Sequence, residues 1–123
     1  MTGLHHIAIL ASQKDRTLAF YRALGFQVTV SHPRPERQDE IVFMTAAGVT
    51  LEIFVSQGNP MRVSGPEAYG LRHAAFATAD AAGMRERLLQ AGYQPEPLRR
   101  DAINDKPMFF IKDPDGLPIE IHE

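Results

Sequence analysis

The sequence predicts an α+β chain made of two tandem βαβββ modules. Two observations carry this. The first is an internal repeat. Leu4-His5-His6-Ile7-Ala8-Ile9 is echoed by Leu71-Arg72-His73-Ala74-Ala75-Phe76, and Gly48-Val49-Thr50-Leu51-Glu52-Ile53 by Gly116-Leu117-Pro118-Ile119-Glu120-Ile121. Leu24-Gly25-Phe26-Gln27 likewise returns as Ala91-Gly92-Tyr93-Gln94. His6 and His73 lie 67 residues apart, Gly25 and Gly92 also 67, and Glu52 and Glu120 lie 68 apart. A nearly constant offset through three anchors implies one supersecondary unit used twice. The second observation is the hydrophobic period. It switches between two and about 3.6 residues in the same order in each half.

Each element follows from local chemistry. Leu4 to Leu10 reads as a buried strand. Ser12 is placed to cap a helix, with Asp15 near its positive end. Leu18, Tyr21 and Leu24 recur at helical spacing, and Gly25 supplies the stop. Phe26 to Ser31 is strand-like, and Pro33 and Pro35 with their charged neighbours read as a loop. Ile41 to Thr45 and Val49 to Val55 read as strands joined at Ala46-Ala47-Gly48. A Gly- and Pro-rich stretch from Ser56 to Gly70 is longer than most connections in a compact domain, so it reads as a connector or a flap.

The order then repeats. His73 to Ala77 is a strand, Asp80 to Ala91 a helix that Gly92 ends, and Tyr93 to Leu98 a strand interrupted by prolines and therefore at an edge. Met108 to Ile111 and Leu117 to His122 are strands joined by the turn Asp113-Pro114-Asp115-Gly116. The expected organisation is one domain over 1–123, with module 1 at 1–55, a connector at 56–70 and module 2 at 71–123.

Bulk properties exclude several classes. The 123 residues carry a net charge of −2 with both signs interspersed, so no basic stripe suits nucleic acid and no polybasic segment suits a membrane. There is no cysteine, hence no disulfide framework, thiolate site or thiol nucleophile. With no signal-peptide pattern, the expected location is cytoplasmic. No G-x-G-x-x-G, Walker A, G-x-S-x-G or H-E-x-x-H pattern occurs.

What remains is the pair of His and Glu positions. In the closing strand of each module, Leu51 and Ile53, or Ile119 and Ile121, face away from the glutamate between them. The aliphatics suit a helix-covered core face. The carboxylates then project from the other face, as do the histidines. A carboxylate inside an apolar strand is costly to bury alone. Two of them at equivalent repeat positions, each with an imidazole, match the ligand set of one divalent ion: His6, Glu52, His73 and Glu120. By strand parity His5 faces away and reads as structural or solvated. His122 has the parity of Glu120, but it ends a terminal strand. Arg34, Arg37 and Arg62 lie in loops where they either hold an anionic substrate or are simply solvated. Asp113 and Asp115 read as turn chemistry.

Five stretches together resemble the vicinal-oxygen-chelate superfamily of glyoxalase I, extradiol dioxygenases, methylmalonyl-CoA epimerase, fosfomycin-modifying enzymes and bleomycin-binding proteins. They are His6-Ile7-Ala8-Ile9, Phe20-Tyr21-Arg22-Ala23-Leu24-Gly25-Phe26, Leu51-Glu52-Ile53-Phe54, Gly70-Leu71-Arg72-His73-Ala74-Ala75-Phe76 and the closing Asp113 to Ile121. The resemblance implies a cupped, partly closed mixed sheet with the helices outside and a metal within. It implies one divalent ion (Ni, Zn, Mn, Co or Fe) on His6, Glu52, His73 and Glu120. Four ligands with glutamate at the second position are most similar to a glyoxalase I-like lyase, similar to lactoylglutathione lyase. Such a lyase or isomerase acts on a small substrate with vicinal oxygens through metal-stabilised enediolate chemistry, with Glu120 the first candidate for catalytic base and Glu52 the second. Glyoxalase I has a glutathione-binding arginine and asparagine where this chain has Leu10 and Ser56. The alternatives are a small-molecule, antibiotic-type binding protein and an iron-dependent dioxygenase. The resemblance also implies a homodimer, in which one chain or two complete the site.

Overall fold

The computed structural model describes all 123 residues, Met1 to Glu123. Two compact units make up the chain, Met1–Pro60 and Met61–Glu123. The first contains β1 (Ile7–Ala11), α1 (Lys14–Ala23), β2 (Gln27–Arg34), a 3-10 turn (Pro35–Arg37), β3 (Asp39–Ala46) and β4 (Val49–Val55). The second contains β5 (Ala74–Ala77), α2 (Ala81–Gln90), β6 (Arg99–Arg100), β7 (Pro107–Lys112) and β8 (Pro118–His122). Each unit is therefore a βαβββ module. Its sheet has four strands, in the order β1-β4-β3-β2 in one and β5-β8-β7-β6 in the other. In each, the first strand runs parallel to the last, and the remaining pairs are antiparallel.

The repeat extends to hydrogen bonds. Helix α1 ends with Gly25 at φ +100°, its N–H donating to Arg22 O at 2.9 Å while Phe26 N donates to Tyr21 O at 3.0 Å. Helix α2 ends with Gly92 at φ +87°, with Gly92 N to Leu89 O at 2.9 Å and Tyr93 N to Leu88 O at 3.0 Å. Both are Schellman caps, in which a left-handed residue lets two N–H groups turn back onto orphan carbonyls. The apolar contact that accompanies such caps is present in α1, where the Tyr21 and Phe26 rings meet edge to face at 5.9 Å.

Alternation divides each sheet as expected. Val42, Met44, Leu51 and Ile53 are fully buried, and so are Phe109 and Ile119, with Ile121 nearly so. With Phe20, Tyr21 and Leu88 from the helices, they form the core of their units. The other faces carry Glu52 and Phe54, or Phe110 and Glu120, all half-buried.

Four local expectations are corrected. Leu4 to His6 lies outside β1 and is exposed, because only Ile7 onward pairs with β4. Helix α1 is flanked by Gln13 rather than Ser12, and no side chain caps it. The segment with Pro33 is strand, not loop: β2 continues to Arg34, which an edge strand tolerates because a proline's missing N–H can face solvent. Tyr93 to Leu98 is not a strand. Pro95 and Pro97 donate nothing, and Glu96 between them gives one bond to Phe110 O at 2.8 Å; pairing resumes only in the two residues of β6.

Candidate metal centre

Each module brings its own histidine to its own glutamate. His6 and His73 each sit one residue ahead of the first strand of their module. Register then places the glutamate beside that entry point, since Ala8 pairs with Glu52 and Ala75 with Glu120. His6 Nε2 lies 3.1 Å from Glu52 Oε2, and His73 Nε2 lies 3.0 Å from Glu120 Oε2. The same atoms meet at nearly the same distance in both repeats. The Glu52 and Glu120 side chains keep only 17% and 12% of their surface open. Each is screened from water without being sealed off.

What surrounds the two imidazoles differs. His6 Nδ1 lies 2.8 Å from His5 Nδ1, so one nitrogen donates and the other accepts. His5 thus stands beside His6 rather than facing away. Strand parity does not reach residues that precede the strand. His73 follows Arg72 instead, and its buried Nδ1 has no partner. Its ring is held by shape, edge to face against Phe110 at 5.2 Å. Phe110 is also the register partner of Glu120, so it forms the wall behind that pair. Sequence reading did not single it out. Its position follows from counting back through the Asp113–Gly116 turn: Lys112 pairs with Pro118, hence Phe110 with Glu120.

The donor chemistry fits a divalent ion. Each pair offers one imidazole nitrogen and one carboxylate oxygen about 3 Å apart, the N and O donors that such an ion takes. No group of three or more His, Cys, Asp or Glu side chains is gathered in the structure. Within each unit the structure brings one expected histidine to one expected glutamate.

The remaining candidates separate cleanly. Arg34 is engaged with Asp39, Nε to Oδ1 at 2.7 Å and Nη2 to Oδ2 at 2.5 Å, and stacks on Phe54 with its guanidinium carbon 5.3 Å from the ring centre. The hydrogen bonds to Asp39 raise its pKa further, and Asp39 is held below its usual range by the same contact. Arg34 is thus a structural clasp, not a free anion holder. Arg37 lies exposed in the 3-10 turn. Asp113 is buried as turn chemistry, its Oδ1 accepting from Asp115 N at 3.0 Å and Leu117 N at 2.8 Å. His122 turns Nδ1 toward its neighbour's backbone, 2.7 Å from Glu123 O.

A family model described as the Glyoxalase/Bleomycin resistance protein/Dioxygenase superfamily matches residues 3–121, and the chain belongs to that family. It is 37% identical over 125 residues to uncharacterized protein YwkD of Bacillus subtilis, covering all of this chain and 98% of that protein. The crystal structure of a glyoxalase family protein from Enterococcus faecalis is 43% identical, with a TM-score of 0.92 over 99% of this chain and 98% of the other. At lower identity the likeness shows the fold alone. An E126Q mutant of the fosfomycin resistance protein FosX of Listeria monocytogenes, solved with Mn(II) and 1S,2S-dihydroxypropylphosphonic acid, is 21% identical with a TM-score of 0.77, covering 99% of this chain and 92% of that one. An E144Q mutant of glyoxalase I from Zea mays is 18% identical with a TM-score of 0.83, over 95% of this chain and 43% of that one.

Proposed function

We propose that His6, Glu52, His73 and Glu120 together hold one divalent ion, and that the chain is a lyase or isomerase of the glyoxalase type acting on a small substrate with vicinal oxygens. The observation that carries this is the repeated pair: the same imidazole nitrogen against the same carboxylate oxygen at 3.1 and 3.0 Å, at equivalent positions of two modules. Family membership supports the reading, since glyoxalases are among the proteins that the family's description names.

The ion, when bound, supplies Lewis-acid polarisation of the substrate's oxygens. The rest falls to the chain. Glu120 is the proposed base. Its Oε2 faces His73, and the free carboxylate oxygen accepts the proton that leaves the carbon next to a carbonyl. Glu52, in the matching place against His6, is the second candidate for that base. Phe110 holds the His73 ring and limits water around Glu120. Leu10 and Ser56 offer no charged hold on glutathione, so the thiol partner, if one is used, is not specified by those two positions.

The test is metal analysis followed by turnover. The purified chain, loaded with Ni, Zn, Mn, Co or Fe(II), is screened against α-keto aldehydes with several thiols. Conversion by the Ni, Co, Mn or Zn form supports the isomerase reading. Oxygen uptake by the Fe(II) form would instead make the chain a dioxygenase, and tight small-molecule binding without any metal would make it a binding protein. With a substrate in hand, Glu120→Gln should lower turnover by about 10²–10⁴-fold while metal remains bound, because an amide oxygen still ligates but cannot take a proton. His6→Ala should act through lost metal affinity, with partial rescue by excess metal.

A further inference from the structure

The second unit carries a basic cavity that the metal reading leaves unused. It has a volume of about 400 Å3 and is lined by Arg62, Glu67, Tyr69, Arg72, Lys112 and Pro118, among others. Three cations face one carboxylate. Glu67 is taken by Arg72, whose Nε lies 2.9 and 3.2 Å from its two oxygens. Arg62 is held by the backbone: Nη2 donates to Leu71 O at 2.6 Å and to Arg72 O at 3.0 Å. Both bonds use one nitrogen, so the rest of that guanidinium remains available. Lys112 is exposed and makes no ion pair. With Glu67 balancing Arg72, the cavity keeps a positive excess from Arg62 and Lys112.

Its place in the sheet gives this charge a purpose. Lys112 and Pro118 are register partners, and the next pair on the same face is Phe110 and Glu120. One two-residue step along a strand is about 7 Å. The cavity thus begins one step from the proposed base, on the same face. On its other side Arg72 is joined directly to His73, and the carbonyls that Arg62 grips are those leading into His73.

We propose that this cavity is an oxyanion subsite, taking a carboxylate or phosphate of a small substrate whose vicinal oxygens lie at the His73–Glu120 pair. This rests on the functional reading above and narrows it. The substrate is an acid whose anionic end meets Lys112 while its vicinal oxygens lie at the His73–Glu120 pair, rather than a neutral aldehyde. Lys112 is the specificity-determining charge. It sits on a rigid strand, and its ammonium has no competing partner.

Calorimetry on the zinc-loaded full chain tests this with two matched pairs of probes. Lactate and malate differ by a distal carboxylate, and glycerate and 3-phosphoglycerate by a distal phosphate. One charge-assisted contact should make malate or 3-phosphoglycerate bind about tenfold tighter than its truncated partner. The arm that shows the gain identifies the anion. Lys112→Glu should remove the gain and Lys112→Arg should keep it; both variants alter an exposed side chain. Inorganic phosphate titrated into metal-free protein separates this idea from the metal site. It should bind to wild type and to His73→Ala alike, and about tenfold more weakly to Lys112→Glu. Zinc binding without discrimination in either arm, or a gain that survives Lys112→Glu, overturns the subsite and leaves the metal reading intact. Phosphate binding that depends on Lys112 in a chain that takes no zinc would keep the anion site and discard the metal reading.

Discussion

Glu52 and Glu120 each stand between two side chains that are essentially fully buried, Leu51 and Ile53 in one strand and Ile119 and Ile121 in the other. Alternation alone forces them onto the opposite face, and the imidazole at each strand's entry meets them there. A different carboxylate shows what ordinary ion pairing does in this fold. Glu40 in β3 accepts from Lys14 Nζ of α1 at 2.7 Å and from the Ser31 hydroxyl of β2. The bond to Lys14, then that to Ser31, holds its pKa below the ordinary glutamate value of 4.5. A depressed folded value means that the stabilisation is fully present above 4.5 and is lost as pH falls through the lower folded value. Glu40→Gln should therefore melt about 2–4 °C below wild type near neutral pH, with the gap closing as pH drops below that range. Thermal melts followed by circular dichroism check this, and a gap that widens in acid would contradict it. At this scale the facing of Glu52 and Glu120 was legible because periodicity encodes which way a strand residue points. His5 beside His6, the Arg34–Asp39 clasp and Phe110 behind His73 were not. They depend on where a strand starts and on which residue lies across the sheet, and neither is a property of one segment.

Among the elements, the two helices share their ending but not their beginning. Asp80 caps α2, its Oδ1 accepting from Gly83 N at 2.8 Å, whereas α1 has no side-chain cap. Asp80→Ala should cost about 1 kcal/mol by urea unfolding. Gly83 is tied to this cap, since a Cβ there would lie 2.0 Å from Asp80 Oδ2. In the wild-type background Gly83→Ala should therefore fail to deliver the usual gain of about 1 kcal/mol for replacing a helical glycine, whereas in the Asp80→Ala background it should deliver it. Additive effects in that double-mutant cycle would show the two residues to be independent. Helix ends were readable from glycine because the left-handed cap is local chemistry, and both stops fall at Gly25 and Gly92 as expected. Strand extents were less so. Pro33 was expected to end a strand and Pro95 and Pro97 merely to mark an edge, yet pairing continues through the first and is lost around the other two. Whether a proline's missing N–H matters depends on which side of the strand is paired, and that is settled by the neighbouring strand rather than by the proline.

For the molecule as a whole, the 67-residue offset is the strongest signal in the sequence, and two four-stranded mixed sheets with one helix each are its consequence. Each sheet leaves two edge strands, β1 and β2 in one and β5 and β6 in the other. Leu10, Val28 and Val30 on the first pair are exposed. Unpaired edges with apolar side chains invite a partner, and we propose that a second copy of this chain supplies it. Light scattering at micromolar concentration should give twice the chain mass of 13.7 kDa; a monomer would contradict the proposal. The metal claim does not depend on that result, because one chain or two can complete the four-ligand set. It does depend on the pairs acting together. The most direct measurement is the stoichiometry of Zn or Ni binding to the full chain, by calorimetry with elemental analysis, for wild type and for Glu52→Ala and Glu120→Ala. Shared use of His6, Glu52, His73 and Glu120 predicts one ion per chain and a large loss of affinity from either substitution alone. Two ions per chain, each lost with only one of the substitutions, would mean that the pairs are separate sites and would contradict the account, as would no binding at all.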